Sequence, residues 1–240
     1  MGKKIYLISS KGGSGKSTVA VGLASALSEM NKKVLLIDAD EGARCLDSLL
    51  KVSEKTCFDL GDVLLGRCEL ADAVITVPNI KNAVVLPSPF DPEPLDFNLL
   101  SDFIDSASAD YDYVILDTKG QLPPKKLLNL SKDALFISVT TPDPIAVKNT
   151  GILNAKLYEN DIKARLIINR FKKKNPKSVG NIDDIIDASA ARLIGIVPED
   201  KKLSFEKGIL KDGVAANAIY RIAARISQKD IPLPKIKDIL

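Results

Sequence analysis

The sequence predicts one α/β domain, a single doubly wound, mainly parallel sheet with helices on both faces. Three observations predict it. Short β-rich apolar runs alternate with helical patterns from end to end, the order expected of strands joined by crossover helices. A glycine-rich segment lies between the first apolar run and the first helical pattern. At 240 residues the chain can bury one sizeable core, and no linker or composition shift sets off a second domain.

Taken in order, Lys4 to Ile8 is apolar enough for a buried first strand, and the helical pattern from Gly15 to Met30 follows its glycines. Met30-Asn31-Lys32 is a polar stop before a second strand, Lys33 to Ile37. The third strand, Ala83 to Leu86, runs into Pro87-Ser88-Pro89-Phe90-Asp91-Pro92-Glu93-Pro94, too rich in proline for regular structure. Leu95 to Ala107 reads as helix, Tyr113 to Leu116 and Ala134 to Val139 as strands, and Asp143 to Glu159 as helix. Arg165 to Ile168 and Leu193 to Val197 complete seven strands, and Ala215 to Ile226 is a last helix. In such sheets ligands sit beyond the carboxyl ends of the strands, so the chemistry is sought in the loops that trail them.

Composition narrows that chemistry. With 34 basic and 31 acidic residues the net charge of +3 does not describe a dedicated nucleic-acid binder. The chain has no histidine, so carboxylates, lysines, hydroxyls and backbone amides must do the work. Cys45, Cys57 and Cys68 are odd in number and widely spaced. They fit reduced thiols in a cytoplasmic protein better than a disulfide framework or zinc site. No cleavable signal precedes the first strand, and no apolar stretch approaches the ~20 residues of a membrane span.

The first loop, Ser10-Lys11-Gly12-Gly13-Ser14-Gly15-Lys16-Ser17-Thr18, is a phosphate-binding loop with a second lysine. Its glycines let backbone N–H groups turn inward around a triphosphate, and the positive end of the following helix favours the same anion. Lys16 reaches the terminal phosphates and Ser17 offers Mg²⁺ a hydroxyl. Ser10 stands where the ordinary motif has glycine. The second strand delivers Asp38-Ala39-Asp40-Glu41-Gly42, and extended alternation would point Asp38 and Asp40 the same way. Tyr113-Val114-Ile115-Leu116 ends in Asp117, with Gly120 three residues on.

These motifs together resemble the MinD/ParA family of ATPases with the deviant phosphate loop, x-Lys-Gly-Gly-x-Gly-Lys-Ser/Thr, and have most in common with its MinD branch. The resemblance spans nearly the whole chain. It implies ATP or ADP and Mg²⁺ as cofactors, an ATP-sandwich homodimer, and hydrolysis used as a switch in spatial positioning. Lys11 would reach the phosphates of the opposite subunit, and Asp40 would orient the attacking water. Asp38 would sit near Mg²⁺ with Ser17 and Asp117, and Gly120 would approach the γ-phosphate. Arg44, Leu46 and Asp47 continue the first switch, whereas Cys45 stands where relatives often carry Asn. Relatives also place a proline and one more residue between the aspartate and glycine of the second switch; this chain has Thr118-Lys119 there.

Leu166-Ile167-Ile168-Asn169-Arg170 leaves a strand end with an amide suited to an adenine edge. Position 172 is lysine, where a guanine site would need an aspartate three residues beyond its asparagine. The segment Ile196-Val197-Pro198-Glu199-Asp200 resembles the one that closes over the base in the family, which adds Pro198 and Asp200. The resemblance also implies a protein activator or cargo. The basic cluster Phe171-Lys172-Lys173-Lys174-Asn175-Pro176-Lys177 reads first as solvated loop charge, with nonspecific phosphate contact left open. MinD proteins commonly end in a basic amphipathic helix. Here Pro232 and Pro234 interrupt the tail, so strong autonomous membrane binding is not expected. A metallocentre-maturation ATPase, a nonhydrolysing, ATP-dependent binding module and a DNA-segregation protein are the rival readings.

Overall fold

A computed structural model describes residues 1–90, 94–172, 181–200 and 213–233. Residues 91–93 of the proline-rich loop, most of the 171–177 cluster and the tail from Pro234 lie outside the described residues. One eight-stranded sheet organises the chain in the order β3-β4-β2-β5-β1-β6-β7-β8. The strands are β1 (Lys3–Ile8), β2 (Val34–Ala39), β3 (Ile75–Thr76), β4 (Ala83–Leu86), β5 (Tyr113–Thr118), β6 (Leu135–Thr140), β7 (Arg165–Phe171) and β8 (Arg192–Pro198). Every pairing is parallel except β3 with β4.

The helices are α1 (Lys16–Glu29), α2 (Cys45–Leu49), α3 (Leu60–Leu64), α4 (Leu70–Ala73), α5 (Phe97–Ala107), α6 (Pro124–Leu127), α7 (Pro144–Tyr158), α8 (Ile182–Ser189) and α9 (Val214–Ile226). Strand β1 shows why both faces are covered. Ile5 and Leu7 join the core under α1 and α9, while Tyr6 and Ile8 join the core on the opposite face with residues of α5, α6 and α7. A third cluster packs α7 and α8 on β7 and β8 through Val147, Ile168, Ile182 and Ile196.

All seven expected strands are present, several running further toward the carboxyl edge than their apolar runs. The extension matters, because ladder pairing carries polar residues to the edge: Asp38 sits opposite Asp117, and Leu7 opposite Asp117, in register. Strand β3 was not read from the sequence. At two residues it has no periodicity, and its pairing with β4 is tertiary. Helices α2, α3, α4 and α6, each five residues or shorter, also escape helical patterning. Helix α8 had a legible signal: Asn181 and Asp184 form a reciprocal capping box, with Ile182 and Ile185 buried behind it.

Candidate functional site

The phosphate loop leaves β1 and enters α1 through backbone that glycine permits. Gly13 has φ 75° and Gly15 φ 85°, and a Cβ on Gly15 would stand 2.2 Å from the Asn169 amide nitrogen. Helix α1 starts without a side-chain cap and without an acidic residue in its first turn. By contrast α3, α5, α7 and α8 each begin with an Asp or Asn whose oxygen accepts backbone N–H groups. The N-terminal amides of α1 are thus left to an anion. Lys16, the first residue of the helix, is only 7% exposed.

Serine at position 10 has a local reason. Its hydroxyl lies 2.9 Å from Thr150 Oγ1 and donates to the Ala146 carbonyl at 3.2 Å, tying the loop to α7. Ser9 Oγ donates to the Lys11 carbonyl at 2.9 Å, so the loop before the glycines is fixed on both sides. The Lys11 side chain stays at the surface. Its ammonium lies 3.6 Å from Asp143, which also caps α7 through the Ala146 N–H.

The carboxylates gather on the other side of the loop. Asp38 is fully buried, and its two oxygens accept from the N–H groups of Asp40 (3.0 Å) and Leu46 (2.9 Å), so it shapes the first switch from within. Strand β2 ends at Ala39, so period-two alternation stops before Asp40. The Asp40 carboxylate instead accepts from Gly42 N–H at 3.3 Å in the following turn, half-buried. Burial pushes Asp38 up to about 7, with the nearby charges of Asp117 and Asp40 adding to it against the two backbone bonds. Asp117 is 1% exposed and neither oxygen accepts a well-formed hydrogen bond. Burial raises it to about 6, partly offset by the Lys16 charge and the Ser17 hydroxyl. Asp38, Asp40, Asp117, Lys16 and Ser17 therefore share one electrostatic neighbourhood.

An orphaned, buried carboxylate beside a serine hydroxyl fits a hard cation that keeps several waters and phosphate ligands. Among the described residues there is no group of three or more carboxylates or thiols that could hold a metal ion by itself. The same two carboxyls set a pH dependence. Their folded-state pKa values lie above the unfolded value of about 4, so the folded chain holds protons that the unfolded chain releases. Stability from this source is intact below about pH 4 and lost as pH rises through about 6 and 7. Urea denaturation across that range should show Asp117→Asn gaining on wild type by roughly 3 kcal/mol, without nucleotide or Mg²⁺. A constant difference at every pH would mean that Asp117 is not held protonated by burial.

The second switch is pinned to the phosphate loop. Thr118 Oγ1 donates to the Leu7 carbonyl at 2.8 Å, and Gln121 N–H to the Ser9 carbonyl at 3.0 Å. Between them Gly120 approaches so closely that a Cβ would stand 3.0 Å from Gly12 Cα. The glycine at 120 is thus required by contact with the loop itself.

On the base side, Asn169 is buried, and its Nδ2 donates to the Ser14 carbonyl at 2.8 Å. The amide singled out for a base therefore also braces the phosphate loop, a role not visible in the sequence. Arg170 is exposed at φ 54° and donates its N–H to Asn169 Oδ1 at 2.9 Å. Pro198 ends β8 opposite Phe171 of β7, and Lys172 pairs with Glu199. Asp200 Oδ2 accepts from Ala215 N–H at 3.3 Å, at the start of α9. The structure brings Asn169, Arg170 and Pro198 to adjacent strand ends, with Asp200 engaged by the last helix.

Two contacts missed by sequence reasoning join the first switch to the proline-rich loop. Glu41 accepts from Leu95 N–H at 2.7 Å, and the Arg44 guanidinium lies 3.6 Å over the Phe90 ring while pairing with Asp47 at 3.0 Å. Neither spacing nor motif marks them. Cys45, Cys57 and Cys68 are free thiols; burial raises Cys45, with the Asp38, Asp40 and Asp117 charges adding to the shift. No helix among the described residues is long and apolar enough to cross a membrane.

Comparison with known proteins agrees with this geometry. The profile of the CobQ/CobB/MinD/ParA nucleotide binding domain matches residues 5–209. The chain is 31% identical to the septum site-determining protein MinD of Synechocystis, over 97% of this chain and 92% of that one. Among solved structures, the MinC:MinD cell division protein complex of Aquifex aeolicus superposes with TM-score 0.85 at 28% identity, covering 97% of this chain and 99% of the other. The septum site-determining protein MinD of Pyrococcus horikoshii, complexed with Mg-ADP, gives TM-score 0.82 at 25% identity, covering 96% and 100%. A nucleotide-binding loop with two lysines, two pinned switches and this sheet order, matched along almost the whole chain, place the protein in the MinD/ParA family of P-loop ATPases.

Proposed function

We propose that the chain is a single-domain, Mg²⁺-dependent ATPase that forms an ATP-sandwich homodimer and acts as a nucleotide switch in spatial positioning. The observation that carries this reading is the division of labour between its two loop lysines. Lys16 is buried at the start of an uncapped helix, where it serves the phosphates of its own subunit. Lys11 is about half exposed and, among the described residues, is held by a surface ion pair with Asp143, so it is available to a second subunit.

Hydrolysis then proceeds by in-line attack of water on the γ-phosphate, with positioning and electrostatics doing most of the work. Gly12, Gly13, Ser14 and Gly15 present backbone N–H groups, joined by Thr18 in the first turn, and Lys16 neutralises the terminal phosphates. Asp40 orients the water, and Gly120 brings the second switch to the γ-phosphate. Ser17 and Asp117 would hold Mg²⁺ with Asp38 behind them, and the ion when bound screens phosphate charge. Asn169, Arg170, Pro198 and Asp200 form the adenine side.

Names of relatives, septum site-determining protein and a MinC:MinD complex, point to placement of a division site or a related cargo as the process, with a protein partner reading the ATP state. Calorimetry with Mg²⁺ and each nucleotide tests the base assignment. ATP should bind at least about tenfold more tightly than GTP, since no aspartate follows Asn169 at the guanine-reading distance, and each decade is about 1.4 kcal/mol. Equal affinity would remove the adenine assignment; ATP binding without phosphate release would favour the nonhydrolysing module.

A further inference from the structure

Besides Lys11 and Lys16, the two loop lysines that the mechanism uses, a third lysine lies by the phosphate loop. It is Lys119, in the second switch. Its backbone is fixed from both sides by the Thr118 hydroxyl on Leu7 and the Gln121 N–H on Ser9. Gly120 next to it touches Gly12. The side chain therefore starts from a rigid point at the mouth of the phosphate loop. Its ammonium reaches over the first switch and stands 3.7 Å from where a Cβ on Gly42 would lie; Asp40 Oδ1 stands 3.9 Å from that same point.

Yet the ammonium closes no ion pair. Among the described residues Lys119 makes no salt bridge and no side-chain hydrogen bond, although Asp40 lies on the same turn of the first switch. The side chain is exposed, while its backbone is held against β1 and the phosphate loop and its ammonium lies over the turn of the first switch.

We propose that Lys119 is a phosphate-directed cation supplied in cis by the second switch, one that recognises the terminal phosphate and stabilises charge on it during hydrolysis. This rests on the ATPase reading above. Because it comes from the same subunit, this charge is present before dimerisation, unlike that of Lys11. It adds selectivity for triphosphate over diphosphate and makes hydrolysis less dependent on a partner. An ammonium near three scattered oxygens acts as a point charge, so geometry is tolerant and arginine can replace it.

Lys119→Gln and Lys119→Arg test it, using equilibrium binding of Mg-ADP and of a nonhydrolysable ATP analogue, then single-turnover phosphate release. Binding of Mg-ADP also reports that each variant folds. In Lys119→Gln, ADP affinity should stay within about twofold while analogue affinity falls roughly tenfold, the worth of one charge-assisted contact. The single-turnover rate should fall on the order of 10- to 100-fold, and Lys119→Arg should restore most of both. An unchanged triphosphate-to-diphosphate ratio in Lys119→Gln, with wild type binding ATP normally, overturns the role of Lys119 alone. A faster rate in that variant also overturns it, marking Lys119 as a restraint on Asp40. Failure of wild type to bind ATP at all would overturn the ATPase reading, and this inference with it.

Discussion

Lys16→Ala is expected to lose at least about a hundredfold in ATP affinity, two decades at 1.4 kcal/mol each, because a charge-assisted phosphate contact disappears and nothing replaces it. The loop glycines supply N–H dipoles but no net charge, and Lys11 is turned toward Asp143. Lys16 also offsets the burial of Asp117, so its removal leaves that carboxyl with less compensation. The nucleotide-free variant should consequently keep its fold by circular dichroism while Asp117 stays protonated to higher pH. Titration with a fluorescent ATP analogue in the presence of Mg²⁺ measures the loss. Affinity within threefold of wild type would show that Lys16 is a packing residue of α1, and the phosphate-loop reading would fail with it.

What could be read in the sequence divides by how local its cause is. The core strands announced themselves because they are buried on both faces and so are apolar throughout, as in Ile5, Leu7 and Val114 to Leu116. The phosphate loop was legible because positive φ at Gly13 and Gly15 and an uncapped helix start demand particular residues in a fixed order. Roles that depend on what lies across the sheet were not legible. Asn169 bracing Ser14 spans 155 positions, and Ser10 held by α7 spans more than 130. The reading of Asp38 as a partner of Asp40 pointing the same way missed that the strand stops at Ala39. Asp38, within the strand, accepts from the amides of Asp40 and Leu46 in the loop that follows. The link from Arg44 to Phe90 pairs a switch residue with a loop the sequence marked only as stiff.

Lys11 and Asp40 should separate assembly from chemistry. The Lys11–Asp143 pair spans 3.6 Å between side chains 49% and 40% exposed, a surface contact worth about 0–1 kcal/mol. On the proposed dimer, leaving it for a phosphate in the partner subunit would cost little, and the new contact would be shielded from water at a closed interface. Lys11→Ala should bind ATP with near wild-type affinity, remain monomeric, and lose on the order of 10³–10⁵ in hydrolysis, the effect of removing a cation supplied in trans. Asp40→Ala should bind ATP, dimerise and stall, because the half-buried carboxylate proposed to orient water is gone while Lys11 is untouched. Asp143→Asn is the control: it keeps an oxygen to cap α7 through the Ala146 N–H but removes the charge holding Lys11, so dimerisation should be equal or tighter. Light scattering with ATP gives the mass of each variant, and phosphate release gives the rate. If Lys11→Ala dimerises and turns over like wild type while ATP binding is intact, Lys11 is a surface lysine, and the protein hydrolyses within one subunit.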